Sequence, residues 1–543
     1  MAHRGNTHPI AAAALLCAAL RATAQPASPA QDAGVEASEQ VLTALGTIQL
    51  SRVDVQGATV FSEQELGAIT APYERELVTF ESLQQLRHEL SRQYVDRGYV
   101  TSGVVIPEQR VTNGVVVLQA VEGELADIEV EGNRRLRSAP IERRVEHYVD
   151  TPLNVADLQA GLSFLQKDPL VERVNAELVP GEQLGESVLK IGVTERKPFE
   201  LAGIAANDRA PSLGEHRGSL ALTYRGLVGN GDVLSGRFGV SDGADDNAVY
   251  YHVPLTPGGT ALDIALSDQD ADIVEEPFDA IDISSRIEVW SVTASRTFAD
   301  NGARSIAVQL GFEHKRSEST LLDAPFSFSP GDINGKAVGS ALLLGAEWSR
   351  TAGRRLFAAR GTFQVGVDVL DPTDNPVPPD GDFTLFLGQL QFSQGIEWRD
   401  SRVLVRGLLQ LADDPLLAMY KLPIGGRYTV RGYRESELVR DNGFVASAEY
   451  RFAAFADDTG QRRGQLDLAV FTDFGISEEE RAPLFGNKRE EISSVGIGLL
   501  WHPLPGLEME LYRAEPLEEF QEPEDESLQD RGIHYSLAYR RAF

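Results

Sequence analysis

The chain has 543 residues, 42% of them hydrophobic, and 50 lysines and arginines against 81 aspartates and glutamates, a net charge of −31. That is too long for one ordinary compact domain, and the acidic balance excludes a nucleic-acid binder, which needs a basic footprint. No run approaches the ~20 apolar residues of a membrane helix, but a membrane protein is still allowed, because barrel strands alternate and hide from hydropathy averages.

Residues 1–24 read as a secretory signal peptide, with His3, Arg4 and His8 at its start, an apolar stretch from Ile10 to Leu20, and Ala22-Thr23-Ala24 as the cleavage site. The one cysteine, Cys17, lies inside it, so the chain from Gln25 onward is expected to have no disulfide and no cysteine-based site. Residues 25–47 are rich in Ala, Pro, Ser and Gln and read as a linker holding one short, weakly amphipathic helix from Val35 to Leu45.

Residues 48–123 follow the order strand, helix, helix, strand, strand. Thr79 can cap a helix that carries Leu83, Leu86, Leu90 and Tyr94 on one face, and Gly98 ends it. Two strand-like runs, Ser102 to Ile106 and Val115 to Val121, flank a turn at Asn113-Gly114. The same order recurs over 124–198, where Ile128-Glu129-Val130-Glu131-Gly132 parallels Val53-Asp54-Val55-Gln56-Gly57. Two copies of about 75 residues are an internal repeat. The first copy contains Arg97-Gly98-Tyr99, then Pro107 and Gln109, then Glu122-Gly123. At these spacings the elements resemble the first polypeptide-transport-associated (POTRA) module of two-partner secretion transporters, the TpsB or ShlB/FhaC/HecB family. The resemblance implies two small α+β domains on the periplasmic side that capture an unfolded exoprotein by strand addition. In that family an N-terminal helix can plug the pore.

From Phe199 to Phe543 the texture changes to alternating apolar and polar runs. Phe444, Ala446, Ala448, Tyr450 and Phe452 oppose Ser447, Glu449 and Arg451, as a strand between lipid and a wet lumen requires. About sixteen such segments can be counted, from 199–207 to 533–543, an even number as bacterial barrels require. Every second break is short, such as Gly226 to Asn230, Asp400-Ser401 and the Asp457–Gly464 stretch, while most of the others are longer and acidic. The expected fold is therefore mainly β: a transmembrane antiparallel barrel of about sixteen strands preceded by two small α+β modules. Tyr535, Leu537, Tyr539 and the final Phe543 share a parity, and this ending resembles the signal read by the barrel-assembly machinery.

One break, about 412–441, is richer in Gly and Arg than its acidic neighbours. Its Val430-Arg431-Gly432-Tyr433 resembles the signature of the sixth loop of this superfamily, which folds back into the barrel. In the family the arginine pairs with the aspartate of a Phe-x-Asp-x-Gly motif, here Phe471, Asp473 and Gly475. Parity turns Asp473 toward the lumen, and Glu449 as well, so either is open as the partner; a lumenal pair is expected to be partly wet.

No nucleotide loop, zinc-protease motif or serine elbow is present. Gly331 to Ala337 falls one residue short of a phosphate loop, and the acidic Asp242–Asn247 cluster reads as a solvated loop. No catalytic residue, metal or cofactor is expected. The resemblance implies an outer-membrane transporter of a Gram-negative bacterium. It would pass a large TpsA-type exoprotein without nucleotide hydrolysis, in contact with membrane lipid and lipopolysaccharide, and rely on the barrel-assembly machinery for its own insertion. The alternatives are an outer-membrane insertase, which shares the loop signature, and a diffusion porin.

Overall fold

The computed structural model describes residues 46–300, 303–455, 464–481, 486–518 and 527–543. The signal peptide, Cys17, the helix expected over 35–45 and nearly all of the break over 457–464 lie outside the described residues. The chain divides into two compact units between Arg196 and Lys197.

The first module runs β1 (Ile48–Gln49), β2 (Arg52–Gln56), α1 (Glu63–Thr70), β3 (Leu77–Val78), α2 (Phe80–Asp96), β4 (Gly103–Val105) and β5 (Val115–Val121). In its sheet β5 is central, parallel to β2 and antiparallel to β4. Helix α1 starts on a capping box between Ser62 and Glu65. The Ser62 backbone N–H, and after it Arg97, hold the Glu65 carboxyl down to about 2. The Thr79 hydroxyl accepts from the Ser82 N–H at 3.2 Å to open α2. The stripe Leu83, Leu86, Leu90 and Tyr94 is buried against Val53, Val116 and Leu118 of the sheet. Each fully buried leucine contributes about 1.5–3 kcal/mol, so packing holds this polar helix in place rather than propensity.

The second module repeats the plan with β6 (Glu124–Glu131), α3 (Ser138–Glu146), α4 (Val155–Leu165), β7 (Val171–Pro180) and β8 (Glu186–Glu195), in sheet order β6-β8-β7. The two modules are sewn together. The Leu153 N–H donates to the Gly123 carbonyl at 2.7 Å, and the Val155 N–H to the Gly98 carbonyl at 3.0 Å. Asn154 caps α4 through its oxygen and donates to the Arg97 carbonyl at 3.1 Å through its amide nitrogen.

The second unit is a closed antiparallel barrel of sixteen strands. Its first eight are β9 (Phe199–Ala206), β10 (Arg217–Arg225), β11 (Val233–Val240), β12 (Ala244–Pro254), β13 (Thr260–Asp272), β14 (Ile283–Asp300), β15 (Arg304–Leu321) and β17 (Lys336–Ala352). A two-residue strand, β16 (Ala324–Pro325), folds back on the end of β15. The wall continues through β18 (Arg355–Gly366), β19 (Thr384–Ile396) and β20 (Ser401–Ala412). Two short strands inside the following loop, β21 (Leu422–Ile424) and β22 (Leu438–Arg440), pair with each other. The last five wall strands are β23 (Asn442–Phe455), β24 (Gln465–Glu478), β25 (Arg489–Leu504), β26 (Leu507–Pro516) and β27 (Ile533–Ala542). The ring closes where β27 pairs with β9, from Ser536 opposite Ala206 to Ala542 opposite Glu200. No helix among the described residues is long and apolar enough to cross a membrane.

Parity places the side chains as the alternation predicts: Phe444 is exposed outward, while Val445, Ser447 and Glu449 are buried inward. The strands run further than expected at one end. The strand expected over 260–268 continues to Asp272, and that over 304–316 to Leu321. Beyond the apolar band the alternation carries charges, and these pair across strands, as Arg286 does with Asp268 at 2.7 Å, so the ladder outlasts the hydropathy pattern. The cluster at Asp242–Asn247 is another departure. Asp246 lies in β12, is 6% exposed and pairs with Arg209, so it is a buried ion-pair member rather than a solvated loop residue.

Candidate functional site

The loop between β20 and β23 turns inward as a hairpin. Its apolar side, Leu422, Ile424, Val430 and Leu438, packs on Val445 and Ile492 of the wall. Gly475 on β24 makes the seat possible: a Cβ there would lie 2.7 Å from Ile424 and 2.8 Å from Val430. Gly432 sits at φ +98°, which favours glycine, and donates its N–H to His534 Nε2 at 3.2 Å. Tyr433 donates its hydroxyl to the Ser493 carbonyl at 2.9 Å and accepts from the Glu518 N–H at 3.2 Å.

These contacts set Arg431 against the wall. Its Nε and Nη2 grip the two oxygens of Asp473 at 2.7 and 2.9 Å, and its backbone N–H donates to the same carboxylate at 3.1 Å. Nη1 donates to Glu449 at 2.6 Å, and Nη2 also reaches the Ser447 hydroxyl at 3.3 Å. Both carboxylates left open by parity are therefore partners of one guanidinium. The planar fork suits this, since one ammonium could not present donors on two edges at once. The expected wet pair is in fact dry: Arg431 is 2%, Glu449 2% and Asp473 1% exposed. The Phe471 ring lies under the guanidinium at 3.4 Å, with Tyr512 at 4.9 Å.

Four features of the site escaped the sequence. Arg451 is a second cation on Glu449 and makes the cluster neutral, two positive and two negative charges. It has the same parity as Glu449, two residues on, and was within reach of that argument. Ser447 has that parity too. His534 had no local signal. Tyr512 comes from two strands beyond β24, and its trace is indirect: Gly496 and Gly498 occupy alternate inward positions of β25, where a Cβ would strike the Phe471 and Tyr512 rings.

The module motif holds its own fold together. Arg97 donates to Glu65 at 2.6 Å and lies over Phe61. Gly98, at φ +91°, and Gly123 offer carbonyls to the second module, and Tyr99 packs edge-on against Tyr94. Gln109 bonds the Pro107 carbonyl at 3.4 Å and pairs with both backbone groups of Val117, at 2.7 and 2.8 Å, like a short extra strand. Glu122 takes the Thr59 and Val60 N–H groups at 2.6 and 3.0 Å and the Tyr94 hydroxyl at 2.8 Å. Burial opposes the Glu122 charge, but hydrogen bonds, first that from the Thr59 side chain, outweigh it and hold the carboxyl below its ordinary value. A depressed carboxyl adds stability above its unfolded value and loses it as pH falls through the folded one. Glu122→Ala is expected to cost the fragment 46–196 about 2–4 kcal/mol at pH 7. It should also flatten the loss of stability expected of the wild type in denaturant titrations as pH falls through the folded carboxyl's lowered range. A variant as acid-sensitive as the wild type would rule this out. At the other end of the chain, Leu537, Tyr539 and Phe543 face outward and are exposed, and the Tyr535 N–H donates to Asn207 at 2.7 Å.

Small α+β modules followed by sixteen closed strands, with an arginine loop fastened to the inner wall, define an outer-membrane barrel of the POTRA-containing class. The model of the haemolysin secretion/activation protein family ShlB/FhaC/HecB matches residues 185–500, and that of the ShlB-type POTRA domain matches residues 48–123. The chain belongs to this family, whose members are transporters of two-partner secretion; its place is the outer membrane, with the POTRA domains in the periplasm. It is 28% identical over 213 residues to the outer membrane transporter CdiB of Dickeya dadantii (strain 3937), covering 38% of this chain and 37% of that protein. It is 24% identical over 439 residues to the outer membrane transporter CdiB of Escherichia coli O6:K15:H31 (strain 536 / UPEC), covering 75% and 69%. The solved structure of CdiB from Escherichia coli has the same fold, with a TM-score of 0.68 at 18% identity over 91% of each chain.

Proposed function

We propose that this protein carries one large TpsA-type exoprotein from the periplasm to the cell surface, with the POTRA domains catching it unfolded and the barrel conducting it. The observation that carries the reading is the dry seat of Arg431. A loop held by a buried two-carboxylate clamp can keep a conduit in one state until its substrate arrives, and a diffusion porin would not need the two modules that precede the barrel. No fuel site is invoked: folding of the cargo outside biases its movement by mass action. Cargo capture is assigned to strand addition, and β7 offers the best edge, since nine of its ten residues pair with β8 and, among the described residues, with no other strand. In the first module side chains cover part of the sheet: Glu74 takes the Val53 N–H at 3.1 Å, and Gln109 covers Val117. Membrane lipid and lipopolysaccharide would contact the outward face, and the barrel-assembly machinery would read Tyr535, Leu537, Tyr539 and Phe543.

The test is a two-gene reconstitution in a host lacking both, pairing this gene with a gene for a large TpsA-type secreted protein taken from the same genome. Exoprotein is expected in the medium only when both are present. Exoprotein retained in the periplasm beside an inserted barrel would refute the reading. Loss of other outer-membrane proteins on deleting this gene would point to an insertase instead.

A further inference from the structure

The seated loop covers one side of the lumen and leaves another bare. Inward side chains of β23 and β24, among them Ser447, Glu449 and Asp473, are buried. On β18 to β20 the inward Thr362, Leu385 and Gln410 are buried too, but Arg360, Gln389, Gln391 and Arg406 point into the barrel and remain exposed. Their inward direction follows from parity, since Phe363, Leu390 and Leu411 hold the outward positions. Register gathers them into one patch, with Arg360 opposite Gln389 and Gln391 opposite Arg406.

The charges on this strip are only loosely matched. Arg360 donates to the Gln309 side-chain oxygen at 2.7 Å and has no carboxylate within 4.0 Å among the described residues. Among the described residues the carboxylate nearest to Arg406 is Glu449, at 4.0 Å, and Arg431 and Arg451 already hold it. Two other inward arginines are matched, Arg217 by Asp208 at 2.8 Å and Arg225 by Glu200 at 2.7 Å. Toward the external loops the strip leads into a cavity of about 290 Å³ between Gln364, Gln389 and Gln410 of the wall and Met419–Pro423 of the loop.

We propose that this strip is the track along which the chain in transit is held, and that its occupant is an extended, acidic stretch of polypeptide. The proposal rests on the reading of the protein as an exporter. Glutamine amides both donate and accept, so they can meet the N–H and C=O groups of any extended backbone without reading its sequence. The two guanidiniums add a preference for carboxylates. Two strands and one pleat repeat separate them, roughly 12 Å. That is close to the ~13 Å between residues i and i+4 of an extended chain. Exposure to water keeps each contact weak, so that a chain can be gripped and still move on.

The probe is a fluorescent 20-residue Gly/Ser peptide with Glu at every fourth position, beside a counterpart with Lys at the same positions. Full-length protein in detergent carries a benzophenone side chain at Gln391 and is irradiated with each peptide. The acidic peptide is expected to form the adduct about tenfold more than the basic one, and the preference should vanish in 1 M salt. In an Arg360→Gln/Arg406→Gln background, checked by heat-modifiability, the adduct should fall about tenfold. Equal labelling by the two peptides, an adduct indifferent to the double substitution, or cross-links only to the protein's own chain would overturn the track. Such a failure beside intact secretion leaves the exporter reading standing, because secretion is read independently in the medium.

Discussion

Arg431→Ala is expected to leave the barrel folded and inserted and to cut exoprotein in the medium by about tenfold or more. The substitution removes the one cation that Asp473 has in the cluster and leaves that carboxylate buried beneath the loop. Breaking a buried pair in this way costs about 3–5 kcal/mol. The barrel wall is held by its own ladders and does not depend on the clamp, so the loss falls on the loop's position. Asp473→Ala should do similar damage, leaving two arginines to share Glu449. The double variant should be no worse than Arg431→Ala, because it removes both members of the fork and leaves the Glu449–Arg451 pair. Arg431→Lys keeps the charge but not the fork, and is expected to restore little export. The measurement is exoprotein in the medium, normalised to heat-modifiable barrel in the membrane. Near-normal secretion by the alanine variant would remove the loop from the mechanism, and additive losses in the double variant would show that Arg431 and Asp473 act separately.

Deleting residues 48–122 should abolish export just as fully while the barrel still inserts. Each strand-addition site is weak alone, because its backbone bonds replace bonds to water. Two linked weak sites hold a chain 10²–10⁴-fold better than either, as an order of magnitude. The joint through Leu153, Asn154 and Val155 fixes the modules closely enough for that linkage to count. Export equal to wild type from the truncated protein would take the first module out of cargo capture.

The sequence made the wall legible because a period of two with lipid on one face leaves a strict trace, as at Phe444 to Phe452. It did not show where strands end, since above the apolar band charged pairs such as Arg286 with Asp268 sustain pairing without a hydropathy signal. Arg431 and its two carboxylates were reachable by motif and parity. The dryness of their contact was not, because it depends on Ile424 and Val430 filling the space beside Gly475, a shape and not a pattern. Tyr512 lay further out of reach, since only the curvature of three neighbouring strands brings its ring to Arg431. In the first module the helix stripe was plain, while the role of Glu122 as a tie between Thr59, Val60 and Tyr94 needed coordinates.

The pairing of β27 with β9 joins residues more than 300 positions apart, as Ala206 and Ser536 are. The ring cannot close until β27, which follows every other wall strand in the chain, has found β9. Contacts this remote in sequence form slowly, because the chain loses its freedom long before it is rewarded with bonds. Until then β9 presents a bare edge to any other strand nearby. A chain cut short by a few tens of residues would therefore keep fifteen strands' worth of apolar surface and remain an open, adhesive sheet. Tyr539 and Phe543, exposed on the outward face, belong to the segment whose late arrival keeps that edge open.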